Sequence, residues 1–312
     1  MQFPDNKRFA FSILDDTDDS TLQNVKPVYD LLRKLGFRTT KTVWPLNCPE
    51  GSRIFFAAET LQNGPYLDFV RCLAADGFEI AFHGATMESS RRERTIQALE
   101  FLKSEFGYYP RLFCNHGHNR ENLYWGYRRF QTAGLRQLAR ATRREPAHYY
   151  SGELEGSEYF WGDLCKKYIR YVRNFTFNKV DLLAVDPFMP YRLSETTYVN
   201  YWFSTADAPD VYAFNRLLSN EAIDVLERKQ GVCIVSTHLG KGFVKNGNLN
   251  PETANILQYL AGKAGWFVPV SDVLDYLLKV RNSSNAGLSR YMRLKIETRF
   301  LFDKMMGIKG GH

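Results

Sequence analysis

The sequence predicts an α/β fold built on a parallel sheet, as a closed barrel or an open sheet with crossover helices. Two observations predict it. Short apolar runs alternate with segments of helical period along most of the chain, and four of those runs end in residues able to do chemistry. In a parallel barrel or open sheet all strand C-termini lie on one side, so residues far apart in sequence converge there.

The first run, Phe9 to Leu14, leads straight into Asp15, Asp16, Asp18 and Asp19. A short apolar run ended by turn-formers reads as a buried strand. Adjacent carboxylates at a strand end are unfavourable unless a cation or a proton offsets them. A divalent metal resolves this, as does one carboxylate acting as a base while its neighbour binds metal. Asp18, Asp19 and Ser20 are placed to cap the helix that follows, Leu22 to Leu35, which stops at Gly36. Asp15 and Asp16 lie too far upstream to cap.

Arg38–Val43 is a β-branched second strand and Tyr66–Ala75 a helix. Phe78–Phe82 is a strand ending at His83, and Arg91–Phe106 a long amphipathic helix. Arg111–Cys114 is a strand ending in Asn115 and His116. Late in the chain Val232–Ser236 is a strand ending at Thr237 and His238. The helix Pro251–Ala264, the strand Trp266–Val270 and the helix Val273–Val280 follow. Of six histidines, three directly follow a predicted strand. A lone histidine is usually structural, and this repetition favours function.

Asn119 to Leu193 break the alternation and read as an insertion flanking the site. They hold an Arg-rich helical stretch (Arg136, Arg140, Arg143, Arg144) and an acidic loop from Ser151 to Glu158. Such arginines are most often a solvated helix face, with phosphate binding the minority use. The expected organisation is a barrel domain over 1–280, with the insertion at about 119–193, and a basic helical tail over 281–312.

At 312 residues, 44% hydrophobic and 24% charged, the chain has ample length for a core. The aromatic content of 15% fits ring stacking on sugars or bases as well as ordinary core packing. Five scattered cysteines without a CxxC pair suggest reduced thiols. No apolar leader opens the sequence, and no apolar run reaches membrane-spanning length. A cytoplasmic protein is expected. The formal charge of +7 is uneven: from Arg281 onward there are seven Lys or Arg against two acids, so the body before them is nearly neutral. That balance argues against nucleic-acid binding by the fold. The tail predicts a helix from Ser289, as N-cap, to Met306, stopped by Gly307. Tyr291, Leu294, Leu301 and Met305 recur there at helical spacing beside Arg and Lys. This suits peripheral contact with an anionic membrane, or packing on the barrel or on a second subunit.

Together these segments resemble the polysaccharide deacetylase superfamily, also known as the NodB-homology or carbohydrate esterase family four group. The strand ending in Asp15 and Asp16 matches its opening, and YLDFVRCLAADGFEIAFHGATM resembles its GxEIxxH stretch at His83. LKSEFGYYPRLFCNHG matches its Gly-x-x-Pro turn and next strand. GVCIVSTHLGKGF through GWFVPVSDVLDYLL resembles its closing segment at His238. The resemblance spans Phe9 to about Leu278 apart from the insertion. It implies a distorted parallel (β/α) barrel and a metal-dependent hydrolase that removes an N-acyl group, with acetyl the expected one, from an amino sugar or glycan precursor. It implies Asp15 as general base, Asp16 and His83 as metal ligands and His238 as general acid.

Two departures stand out. The family's second histidine, four residues after the first, is Met87 here, and thioether sulfur suits hard or borderline ions poorly. The family's arginine in the next strand is Cys114. The expectation is a rebuilt site: one divalent ion, zinc, held by Asp16, His83 and a histidine of NHGH, with His116 preferred to His118. Three protein ligands and one open position form the catalytic zinc pattern. Asn115, His118 and Trp125 are expected near the substrate, and Tyr124, Trp161 and Trp202 are further candidates for stacking on sugars. The alternatives are a metal-free amide hydrolase on the same fold and a catalytically silent glycan-binding protein. The presence of both Asp15 and His238 argues against the silent reading.

Overall fold

The computed structural model describes residues 2–52, 58–143, 146, 148–281 and 287–309. Among them, seven parallel strands close a barrel: β1 (Phe9–Asp15), β2 (Thr40–Val43), β3 (Glu79–Phe82), β4 (Leu112–Phe113), β5 (Tyr171–Phe177), β6 (Tyr201–Asp207) and β7 (Val232–Thr237). Each strand pairs with the next. β7 returns to β1 over the register Ala10↔Val232 to Asp15↔Thr237. Every residue of β1 is buried, as expected of a central parallel strand covered on both faces. After a small antiparallel pair, β8 (Val244–Lys245) and β9 (Asn248–Leu249), the short β10 (Gly265–Phe267) joins the remaining edge of β1. β10 takes the first half of that edge, at Phe9–Phe11, and β2 takes the last two residues, Leu14 and Asp15. This divided edge distorts the barrel and leaves the end of β1 bonded on both sides, where the carboxylates sit.

The helices are α1 (Leu22–Lys34), α2 (Gly64–Ala75), α3 (Arg92–Phe106), α4 (Ala133–Arg143), α5 (Gly162–Tyr168), α6 (Val211–Leu217), α7 (Asn220–Lys229), α8 (Pro251–Ala261), α9 (Val270–Val280) and α10 (Arg290–Lys309). Thr21 caps α1: its side chain accepts from the backbone N–H of Asn24, and the Asn24 side chain accepts in return. This capping box releases Asp18 and Asp19 from the capping role expected of them.

The stretch 119–193 is not wholly an insertion. β5 and α5 lie within it, and β5 completes the ring between β4 and β6. The sequence YVRNFTF hides a strand because Arg173 and Asn174 interrupt its apolar pattern, yet both are buried. The arginine-rich stretch forms α4, while Arg144 lies outside the described residues. In the tail, the Ser289 hydroxyl accepts from the N–H of Met292, and α10 runs on through Gly307 to Lys309. Ile296 and Phe300 are buried, with Phe300 against Phe130, Phe175 and Phe177. The buried Glu297 carboxylate accepts from the backbone N–H groups of Gln131 at 2.6 Å and Thr132 at 3.1 Å. One face of α10 is therefore docked on the barrel.

Asp186 is fully buried and accepts from the Ser204 hydroxyl at 2.7 Å. Burial raises its pKa from 3.8 to about 7, against the opposing pull of Ser204 and Arg281. A carboxyl raised on folding binds more protons when folded, so stability falls as pH rises from about 4 to about 7 and then levels off. Asp186→Asn is expected to flatten that slope and to raise stability above pH 7, by up to about 4 kcal/mol. Urea unfolding at pH 5 and pH 8 checks this; a parallel pH dependence in parent and variant would contradict it.

Candidate active site

Asp15, which ends β1, and Asp16 and Asp18, which follow it, point to three different environments. Asp15 is fully buried. Its Oδ2 accepts from Lys41 Nζ at 2.8 Å and from the Tyr29 hydroxyl at 2.9 Å, and its Oδ1 accepts from the backbone N–H of Leu239 at 2.9 Å. These partners engage both oxygens and place Asp15 in the wall of the barrel, joining β1, β2, α1 and the loop after β7. Asp16 instead faces the cleft. Its Oδ2 accepts from Arg173 Nη1 at 2.5 Å and from Ser236 Oγ at 3.3 Å. Burial disfavours its ionised form, but Arg173, His83 and His238 outweigh burial and hold the carboxyl below the usual carboxylate range.

Asp18 is where the imidazoles meet. Its Oδ1 lies 3.4 Å from His83 Nε2 and 3.4 Å from His116 Nε2, and its Oδ2 lies 3.3 Å from His238 Nε2. Those histidines follow β3, β4 and β7, so parallel topology brings them together at one rim. Trp44 packs on His83 and His116 with ring centroids 4.8 and 4.6 Å away, and fixes both. Asn122 clamps the backbone of His116, accepting from its N–H and donating to its carbonyl. The loop after β7 is pressed against the aspartate loop: a Cβ on Gly240 would lie 2.4 Å from the Asp19 carbonyl oxygen, so only glycine fits.

His83 and His238 are tuned in opposite directions. Burial lowers the His83 pKa, and the nearby carboxylates do not restore it. A neutral imidazole is the form that binds metal. Burial also acts to lower His238, but Asp18 and Asp16 outweigh it and the pKa is raised. His238 Nδ1 donates to the Pro209 carbonyl at 2.6 Å, which leaves Nε2 facing Asp18 and the cleft.

Among the described residues, two donor sets have ligand atoms within 4.8 Å of one another: Asp18, His83 and His116, and Asp16, His83 and Cys114. The first fits a divalent cation. It offers one carboxylate and two imidazoles, and Asp18 Oδ1 is a buried oxygen without a hydrogen-bond partner among the described residues. The second fits poorly. Arg173 already occupies Asp16, and burial pushes the Cys114 thiol well up, away from the thiolate a metal needs. Asp16, Asp18, His83, His116 and His238 all line one cavity of about 180 Å³.

The fold has known counterparts. The structure aligns with Puue allantoinase over 91% of this chain and 94% of that one, at 13% identity and a TM-score of 0.53. It aligns with a probable polysaccharide deacetylase from Pseudomonas aeruginosa PAO1 over 89% of this chain and 93% of that one, at 14% identity and a TM-score of 0.51. The chain has the polysaccharide deacetylase fold. No family model matches it, and no curated protein matches it in sequence.

Within that deacetylase fold, the residues expected from sequence fall into three groups. Asp16, His83, His116 and His238 come together. Asp15 is walled off by Lys41 and Tyr29. His118 is exposed, with Nδ1 3.4 Å from the Tyr150 hydroxyl, and is absent from the cavity lining. Asn115 lines the cavity, but its amide is engaged with the N–H and carbonyl of Leu123. Trp125 lines it too, its indole N–H donating to the Gly117 carbonyl. Met87 is buried at 5% exposure, a packing residue. Tyr124, Trp161 and Trp202 are buried in the core, and no longer stand as sugar-stacking surfaces. Sequence reasoning passed over Asp18, Trp44 and Arg173. Arg173 fills electrostatically the place left by Cys114: the guanidinium reaches the aspartate from β5 rather than from β4. An arginine inside an aromatic run was its one signal.

Proposed function

We propose that this protein is a metal-dependent hydrolase that removes an N-acyl group, most simply acetyl, from an amino sugar or glycan precursor. The observation that carries this reading is the convergence of three strand-end imidazoles on Asp18, beside an Asp16 held by Arg173. Relative to the sequence expectation, the aspartate roles move along the chain. Asp16 rather than Asp15 is the base, and Asp18 rather than Asp16 joins His83 and His116 in holding the cation, for which zinc is our candidate. When bound there, such an ion supplies a Lewis acid that polarises an acyl oxygen and acidifies water.

The chain's own residues do the proton work. Asp16 takes a proton from the water attacking the acyl carbon. Arg173 keeps Asp16 ionised and aims its second oxygen, Oδ1, which has no hydrogen-bond partner among the described residues. His238, kept protonated by the two carboxylates and oriented by Pro209, gives its Nε2 proton to the departing nitrogen as the C–N bond breaks. Trp125 packs on the sugar. The five scattered cysteines without a CxxC pair fit a reducing, cytoplasmic setting.

Acetate release from N-acetylglucosamine and chitotriose, with and without chelator, tests the reading. Release that stops on chelation and returns with zinc is expected. One observation favours a second reading: Asp18 oxygens 3.3–3.4 Å from three imidazole nitrogens also make a stable carboxylate–imidazole cluster without an ion. A metal-free amide hydrolase would release acyl groups regardless of chelation. A protein that releases none under any condition would be a binding protein. The ligand set makes a separate prediction. His116→Ala should weaken zinc binding by more than about 100-fold, a loss that even removal of groups behind the ligands can reach, whereas Met87→Leu should leave affinity unchanged. Equal affinities in a zinc titration would exclude His116 as a ligand.

A further inference from the structure

We propose that the outward face of α10 docks the protein on an anionic membrane surface. The helix is apolar on two faces, and only one is spent on the barrel. The other carries Tyr291 at 73% exposure, Leu294 at 41%, Phe302 at 54% and Met305 at 64%. They recur at helical spacing and form one stripe along the outside.

Charge along the helix is segregated by side. Both acids turn inward: Glu297 is 1% exposed, and the Asp303 side chain is 8% exposed and pairs with Arg299. The charges left outside are the cations Arg290 and Lys295, both exposed; Arg299 and Lys304, at 39% and 44% side-chain exposure, pair with Asp303 and Asp207. An apolar stripe whose exposed charged neighbours on the helix are Arg and Lys is the composition of a helix lying in an anionic lipid interface. A second copy of the same face would bring cations against cations in a two-fold contact, which disfavours self-association.

Beside the stripe lies a cavity of about 570 Å³ between α10 and the turn at Ala184 and Val185. It is lined by the apolar Ala184, Val185 and Phe302 together with Thr298, Lys295 and Arg299. A lipid tail with an anionic headgroup matches that arrangement. The helix also touches the rim of the cleft from its inner side: Lys304 Nζ donates to Asp207, which lines the same cavity as Asp16 and His238.

Sedimentation of the full chain with vesicles tests this without reference to catalysis. The parent should sediment with vesicles containing phosphatidylglycerol, less so at high salt, and not with phosphatidylcholine alone. Tyr291→Ser with Phe302→Ser, and separately Arg290→Glu with Lys295→Glu, should each lower partitioning by at least about tenfold. Thermal unfolding confirms that the variants fold, and the second pair removes no apolar contact. A parent that ignores phosphatidylglycerol vesicles would overturn the proposal, as would variants that sediment like the parent. Self-association lost in the variants, with no vesicle binding, would assign the face to a second copy and likewise overturn it.

Discussion

Asp16→Asn is expected to lower kcat by about 10² to 10⁴, the contribution of a positioned general base, and to leave zinc binding at the proposed Asp18, His83 and His116 set unchanged. Asparagine keeps the shape of the side chain and an acceptor for Arg173 but cannot take a proton. Asp15→Asn, which removes a carboxylate the cleft does not reach, costs far less turnover in the molecules that remain folded. The comparison is read from kcat of the two variants under saturating zinc, with the folded fraction determined for each. If Asp15→Asn is the more damaging to kcat, the base lies at Asp15 and the assignment made from the geometry is wrong.

The second large effect is on stability. Lys41→Met strands the Asp15 carboxylate in the barrel wall without its cation, and Lys41 and Asp15 side chains are both 0% exposed. Removing one partner of a buried pair costs about 3–5 kcal/mol, because the remaining charge is uncompensated. Replacing both, as Asp15→Asn with Lys41→Met, should recover part of that loss. Urea unfolding of the two single variants and the pair measures it. A loss below about 1 kcal/mol for Lys41→Met would mean that solvent or a shifted proton compensates Asp15.

Much of this architecture was legible in the sequence, for identifiable reasons. β1, β3 and β7 are apolar runs ending in Asp or His, and their hydrophobic pattern places the strand ends within a residue of those observed. His83, His116 and His238 were found because each directly follows such a run. β5 was missed because it carries Arg173 and Asn174 in its interior; the same arginine that spoils the pattern is the one that reaches Asp16. The shift of the aspartate roles was illegible for a different reason. Along DDTDD every carboxylate lies near a strand end, and only the partners decide among them. Lys41 on β2 and Tyr29 on α1 claim Asp15, and nothing local in the sequence announces that contact. Asp18 read as a helix cap until the Thr21–Asn24 capping box took that role. For α10, the residues picked out at helical spacing lie mainly on the outward side, while Ile296, Glu297 and Phe300 make the docked one.

The measurement that tests the site most directly is a zinc titration of the parent and of Asp18→Ala by calorimetry. The account predicts one ion per chain in the parent and a loss of affinity of more than about 100-fold in the variant, with Asp15→Asn binding like the parent. A parent that binds no zinc, or an Asp18→Ala variant that binds it as tightly, would contradict the assignment of Asp18, His83 and His116 as the metal-holding set.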